Sequence, residues 1–168
     1  KSYTMENASA FSQQILEDLE GGLWLFGYTG PAHLSQPKGS PGPRLARVEG
    51  RCDDDSYFGF RDKVILDHEG FFWTKNLRGE PALVRCDRDW NRIAAYPSPA
   101  PISQIFQDQK GTLWMGTTNG LFLLRPSAER VERAQAPIPH EMISFIVEDQ
   151  LGGLWVGTEK GVWRRSPK

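Results

Sequence analysis

Four aspartates recur along this 168-residue chain with the same neighbours each time: Asp18, Asp67, Asp108 and Asp149. Each is followed by a glycine three residues on (Gly21, Gly70, Gly111, Gly152), a tryptophan six on (Trp24, Trp73, Trp114, Trp155) and a second glycine twelve on (Gly30, Gly79, Gly120, Gly161). Four matched carboxylates suggest a ring of acidic groups. The first glycine argues otherwise. An aspartate bonds its own backbone two residues ahead, and glycine takes a positive φ without steric cost, so Asp-x-x-Gly is a turn. Turn chemistry accounts for the recurrence without a ligand, and a tryptophan repeated in register after the turn reads as core.

A second acidic group, Asp53-Asp54-Asp55, precedes Ser56-Tyr57-Phe58. Clustered carboxylates suit a hard cation, but the alternating Asp-x-Asp-x-Asp-Gly spacing of a calcium loop is missing, so this is a solvated acidic loop and no metal is expected. The same connection carries Arg51, Asp54, Tyr57 and Arg61, charged and aromatic residues of the kind that meet a ligand from a loop. His33, His68 and His140 lie apart in the repeat; only His68 occupies a repeat turn, where the other copies have Leu19, Gln109 and Gln150, which marks exposed surface. No Ser/His/Asp set, phosphate-binding loop or paired zinc ligands occur, so neither catalysis nor a cofactor is expected. Cys52 and Cys86 are not spaced as metal ligands; two free thiols and one disulfide both remain open.

The elements that carry these residues are short strands. In the fourth copy Ile143 to Glu148 alternates as a strand, Asp149 to Gly152 turns, Leu154-Trp155-Val156 runs back, and Val162-Trp163-Arg164 begins a third strand. The third copy repeats this with Ile102 to Gln107, Leu113 to Thr117 and Leu121 to Leu124, and adds a more polar outer strand at Arg130 to Ala134. No helix is expected; a weak helical pattern from Ala8 to Leu19 yields to the repeat. The tryptophans are 49, 41 and 41 residues apart. A period of about 40–50 residues built of four short strands is the signature of an all-β propeller, whose blades bury their two apolar faces by stacking. The blades fall at about 9–50, 61–97, 101–136 and 142–168 of one domain, with 1–6 able to supply a closing outer strand. Three assemblies follow: a closed four-blade ring, half of an eight-blade dimer, or part of a larger ring. Pro37 to Pro43 marks an excursion within the first blade, and the Pro97–Pro101 and Pro137–Pro139 clusters mark links between blades.

A net charge of −1 gives no electrostatic case for nucleic acid as a partner. No apolar run approaches the ~20 residues of a membrane helix, so a membrane enters only through other domains.

The strings Phe106-Gln107-Asp108-Gln109-Lys110-Gly111-Thr112-Leu113-Trp114-Met115-Gly116-Thr117 and Ile146-Val147-Glu148-Asp149-Gln150-Leu151-Gly152-Gly153-Leu154-Trp155-Val156-Gly157-Thr158 resemble the two-component regulator propeller repeat. Glu17-Asp18-Leu19-Glu20-Gly21-Gly22-Leu23-Trp24 keeps part of that pattern; Phe72-Trp73-Thr74-Lys75 is degenerate. The resemblance implies a non-catalytic, periplasmic sensor propeller of a bacterial receptor, binding a small ligand, with carbohydrates among those the family answers to. Two further readings are a lyase-type propeller enzyme and a structural module that pairs as a homodimer.

Overall fold

The structure is a computed structural model that describes residues 12–27, 30–52, 63–76, 79–135, 138 and 140–166. Every regular element among them is a strand. The first sheet runs β1 (Ser12–Glu17), β2 (Leu23–Gly27), β3 (Ala32–Ser35), β4 (Arg44–Arg47). The second runs β5 (Ile65–Leu66), β6 (Phe72–Lys75), β7 (Ala82–Cys86), β8 (Arg92–Pro97). The third runs β9 (Ile102–Gln107), β10 (Leu113–Thr117), β11 (Gly120–Leu124), β12 (Glu132–Arg133), and the fourth has three strands, β13 (Ile143–Glu148), β14 (Leu154–Thr158) and β15 (Gly161–Arg165). Each sheet is an antiparallel meander, so each repeat is one blade. β5, β9 and β13 approach one another from neighbouring blades, which puts the first strands innermost.

The outer strand expected over Arg130 to Ala134 shrinks to Glu132–Arg133, both exposed, as befits a polar edge. The proline-rich excursion at 36–43 is the hairpin between β3 and β4. The closing strand expected at 1–6 lies outside the described residues.

The Asp-x-x-Gly segments are tight turns between the first and second strands. Each aspartate Oδ1 accepts two backbone N–H groups, from the residues two and four ahead: in blade two, from Glu69 at 2.9 Å and Phe71 at 2.8 Å. Gly21, Gly70, Gly111 and Gly152 sit at φ of 81°, 84°, 80° and 76°, the left-handed region where a side chain costs about 1–2 kcal/mol. The same turn appears a fifth time between β7 and β8: Asp87 Oδ1 accepts Asp89 and Asn91 N–H at 3.0 and 2.7 Å. There the left-handed position is Trp90, φ 62°. Its ring is buried, 5.0 Å from Phe26 and 5.5 Å from Phe72 between centroids, and that burial outweighs the backbone strain.

Three apolar cores fill the three junctions. Trp24 and Phe26 of blade one meet Val64, Phe72, Val84 and Trp90 of blade two. Trp73 of blade two meets Ile102, Ile105, Leu113 and Met115 of blade three. Trp114 of blade three meets Ile143, Ile146, Leu154 and Val156 of blade four. Each of these three repeat tryptophans thus faces the following blade, and burying one is worth roughly 4–6 kcal/mol of transfer free energy. Trp155 departs from the expectation that all four are core. It is 37% exposed, because among the described residues no blade stands against its face. Ile15 and Leu23, on the opposite face of blade one, are 58% and 37% exposed for the same reason.

Polar bonds stitch the junctions as well. Gln14 of β1 both donates to Val64 O at 2.5 Å and accepts Val64 N–H at 2.9 Å. Ser103 Oγ donates to Ile143 O at 2.6 Å. Cys52 and Cys86 form a disulfide, Cα atoms 5.5 Å apart, which ties the end of the connection leaving blade one to β7 of blade two.

Candidate functional site

All the first turns and the β3–β4, β7–β8 and β11–β12 hairpins open on one side of the blade array, because alternate connections of a meander share an edge. On that side each junction holds a cleft at an equivalent place. The cleft between blades one and two has a volume of about 230 Å³, that between two and three about 420 Å³, and that between three and four about 150 Å³. Each is lined by the repeat aspartate and tryptophan of one blade and by the first turn of the next.

What differs is the residue on the third strand that pairs with the tryptophan: His33 opposite Trp24, Arg85 opposite Trp73, Leu123 opposite Trp114, Arg164 opposite Trp155. In blades two, three and four the aspartate's second oxygen accepts the indole N–H of its own tryptophan, at 2.7, 2.8 and 2.8 Å. In blade one Asp18 Oδ2 is bonded instead to His33 Nε2 at 2.7 Å, and the imidazole stacks on Trp24 with centroids 4.7 Å apart. Trp24 Nε1 then has no partner among the described residues, although the ring is only 5% exposed, and it is not sealed from solvent.

Sequence allows this arrangement through a second glycine. A Cβ on Gly22 would lie 2.5 Å from His33 Nε2 and 2.6 Å from Asp18 Oδ2. Gly153 plays the same part in blade four, where Arg164 reaches Asp149 Oδ2 at 3.0 Å. Blades two and three have Phe71 and Thr112 there, and Arg85 lies over the Phe71 ring at 3.8 Å while bonding Glu69 at 2.8 Å.

These bonds set the carboxylates' acidity. Burial raises the Asp18 carboxyl, but the Gly22 and Glu20 N–H groups and His33 outweigh it and hold it below its ordinary value. The indole of Trp155, then the Gly153 N–H and Arg164, hold Asp149 down to about 2.

The first cleft has an ionic rim. Arg88 meets Glu20 at 3.4 Å, both exposed, and the exposed Asp89 carboxylate has no partner among the described residues. Among the described residues its lining includes no serine, threonine or cysteine. Of the loop residues expected to meet a ligand, Arg51 is described: its side chain is exposed and its carbonyl accepts Arg92 N–H at 3.2 Å. Asp54, Tyr57 and Arg61, and with them the acidic run at 53–55, lie outside the described residues. Among the described residues no three His, Cys, Asp or Glu side chains gather as a metal site. His68 is exposed in its turn, and its backbone N–H donates to Gln107 of the next blade at 3.0 Å. Gln109 likewise donates to Glu148 at 2.8 Å. Sequence reasoning missed His33 as a site residue and these turn-to-blade bonds.

The family model of the two component regulator propeller matches residues 96–119 and 137–160. No curated protein matches the sequence. Among solved structures, the extracellular domain of BT4673 from B. thetaiotaomicron, assigned to the one component systems, is similar at 16% identity and a TM-score of 0.69, covering 99% of this chain and 21% of its own. A second structure of that protein is assigned to the hybrid two component systems. PorZ, an essential surface component of the type-IX secretion system of Porphyromonas gingivalis, is similar at 15% identity and 0.66, covering 99% and 28%. A protein assigned as a gluconolactonase is similar at 14% identity and 0.57, covering 91% and 59%. At these identities the likeness is one of fold, and this chain spans only 21% and 28% of the first two proteins.

Proposed function

We infer that this chain, built of two component regulator propeller repeats, is the ligand-sensing propeller module of an extracytoplasmic signal-transduction receptor, and that it does no catalysis itself. The observation that carries the reading is the row of equivalent clefts on one side of the array. Their framework of aspartate turn and tryptophan is constant, and their variable residues are His33, Arg85 and Leu123. A constant scaffold with residues of varying chemistry, imidazole, guanidinium and aliphatic, at its clefts is how a repeat protein builds a recognition surface. The Cys52–Cys86 disulfide supports an oxidising compartment, the periplasm in a bacterial receptor. A ligand in such a cleft touches two blades at once. Its binding energy therefore acts on the packing between them, which is the lever a receptor needs to pass a signal to its other domains.

The test is thermal unfolding of the chain against a panel of small ligands, beginning with mono- and disaccharides, the class the family resemblance suggests. A concentration-dependent rise in Tm with at least one of them supports the reading, since a ligand bound to the native state stabilises it by mass action. Hydrolysis or elimination of a panel member by the purified chain would replace it with the enzyme reading.

A further inference from the structure

We propose that the cleft between blades one and two is a binding site for a small zwitterionic amine, an α-amino acid in size and charge. This rests on the ligand-binding reading above and assigns one cleft and one ligand class to it.

Three observations lead there. The first is the break in the repeat. Wherever Asp Oδ2 holds its own indole, that N–H is used up; in blade one His33 has taken the oxygen, and Trp24, which lines the cleft, has no partner for its Nε1 among the described residues. That N–H reaches the solvent of the cleft and is a donor open to a ligand. A ligand that uses this donor brings a hydrogen-bond acceptor to the floor of the cleft, and a carboxylate oxygen is the strongest available.

The second is the charge balance. Of the three carboxylates at the cleft, Asp18 is paired with His33 and Glu20 with Arg88, which leaves the Asp89 carboxylate without a partner among the described residues. A plain carboxylic acid would meet the unanswered Asp89 carboxylate. A molecule that also carries an ammonium group answers it, with the ammonium at Asp89 and the carboxylate between Trp24 Nε1 and Arg88. Arg88 is free to make that bond, since its exposed pairing with Glu20 at 3.4 Å is a weak one.

The third is size. The volume of about 230 Å³ is below the range of ~300–1,000 Å³ typical of drug-sized ligands, so the occupant is a single small molecule. The apolar part of the wall, Leu66 and Phe72, suits a short aliphatic side chain.

The experiment uses the ¹⁵N-labelled chain and reads the indole N–H resonances, assigned through Trp→Phe variants. L-alanine is the probe and D-glucose the comparison. Expected is a saturable shift of the Trp24 indole with L-alanine, none at the Trp73 and Trp114 indoles, and at least tenfold weaker binding in Asp89→Asn, a substitution on the exposed rim. Asp89→Asn keeps the test independent of whether Trp24→Phe folds. A Trp24 resonance indifferent to L-alanine overturns the proposal. If D-glucose shifts it instead, the amine class is wrong while the cleft's role as a ligand site stands. If L-alanine shifts another indole and not Trp24, the cleft assignment is wrong while ligand binding stands. If neither probe shifts any indole and no panel member raises Tm, both this assignment and the sensing reading fall.

Discussion

Asp18 Oδ2 lies 2.7 Å from His33 Nε2, at the place where its counterparts in the other three blades hold a tryptophan indole. The substitution His33→Leu gives blade one the residue that blade three has at Leu123. With the imidazole gone, Asp18 is expected to take the Trp24 N–H, as Asp108 takes that of Trp114. The Trp24 indole proton should then move downfield and exchange more slowly with solvent, to match the Trp114 resonance. Because one bond replaces another, stability should change by less than about 1.5 kcal/mol. An indole proton that stays where it was in the native protein would show that His33 is not what keeps Trp24 from its aspartate.

The two last repeat tryptophans should differ in worth. Trp114 is buried between blades three and four, whereas Trp155 is 37% exposed. Trp114→Ala should cost about 3–5 kcal/mol, the range for emptying a large core site. Trp155→Ala should cost well under that in a monomer, and urea unfolding of the two variants measures the gap. Equal losses would mean that the Trp155 face is covered in solution.

Acid should weaken the fourth blade through Asp149. Its folded pKa of about 2 lies below its ordinary 3.8, so the folded state binds this proton less readily than the unfolded state does. Its contribution to stability is complete above about pH 4 and is lost as pH falls toward 2. Asp18, lowered in the same direction, adds to the trend. In an NMR titration the Trp155 indole, bonded to Asp149 at 2.8 Å, should shift with a midpoint near 2. A midpoint near 4 would mean that the bonds from Trp155, Gly153 and Arg164 do not hold in solution.

The disulfide spans 34 residues, and a loop of that length corresponds to about 4 kcal/mol of chain-entropy stabilisation. Reduction, or Cys52→Ser with Cys86→Ser, should lower the urea midpoint accordingly. Since Cys52 and Cys86 both sit in the core that holds Trp24 and Trp90, the loss should appear first at the junction of blades one and two, as faster amide exchange there. Unchanged unfolding on reduction would show that the bond adds nothing to the blade packing.

Much of this architecture is legible in the sequence because the turns are chemically forced. Asp at one position and Gly three residues later fix the turn between the first and second strands in every copy, and the tryptophan after it fixes the face that meets the next blade. The site was harder to see because it lies in a deviation from the repeat. His33 looks isolated among three scattered histidines. Yet it stands nine residues after Trp24, as Leu123 stands nine after Trp114 and Arg164 nine after Trp155. In blade two the longer hairpin puts Arg85 twelve after Trp73, which hides the correspondence. The paired glycines Gly21-Gly22 and Gly152-Gly153 were a further signal. They occur in the two blades where a third-strand side chain reaches the aspartate. The disulfide was not legible, because only the fold brings Cys52 back across to β7.

The second and third junctions join a tryptophan face to an aliphatic face, Trp73 to Leu113 and Met115, Trp114 to Leu154 and Val156, and the first joins Trp24 and Phe26 to a different set, Val64, Phe72, Val84 and Trp90. Such a contact is heterologous: its two sides are different surfaces and cannot exchange places. The array therefore has a sense of direction, like a row of hooks and eyes. A two-fold axis placed at its end would bring Trp155 against another Trp155 and leave Ile15 and Leu23 bare. Whatever meets the Trp155 face through this kind of contact must present the counterpart of the Ile15–Leu23 face, and assembly in this mode runs head to tail.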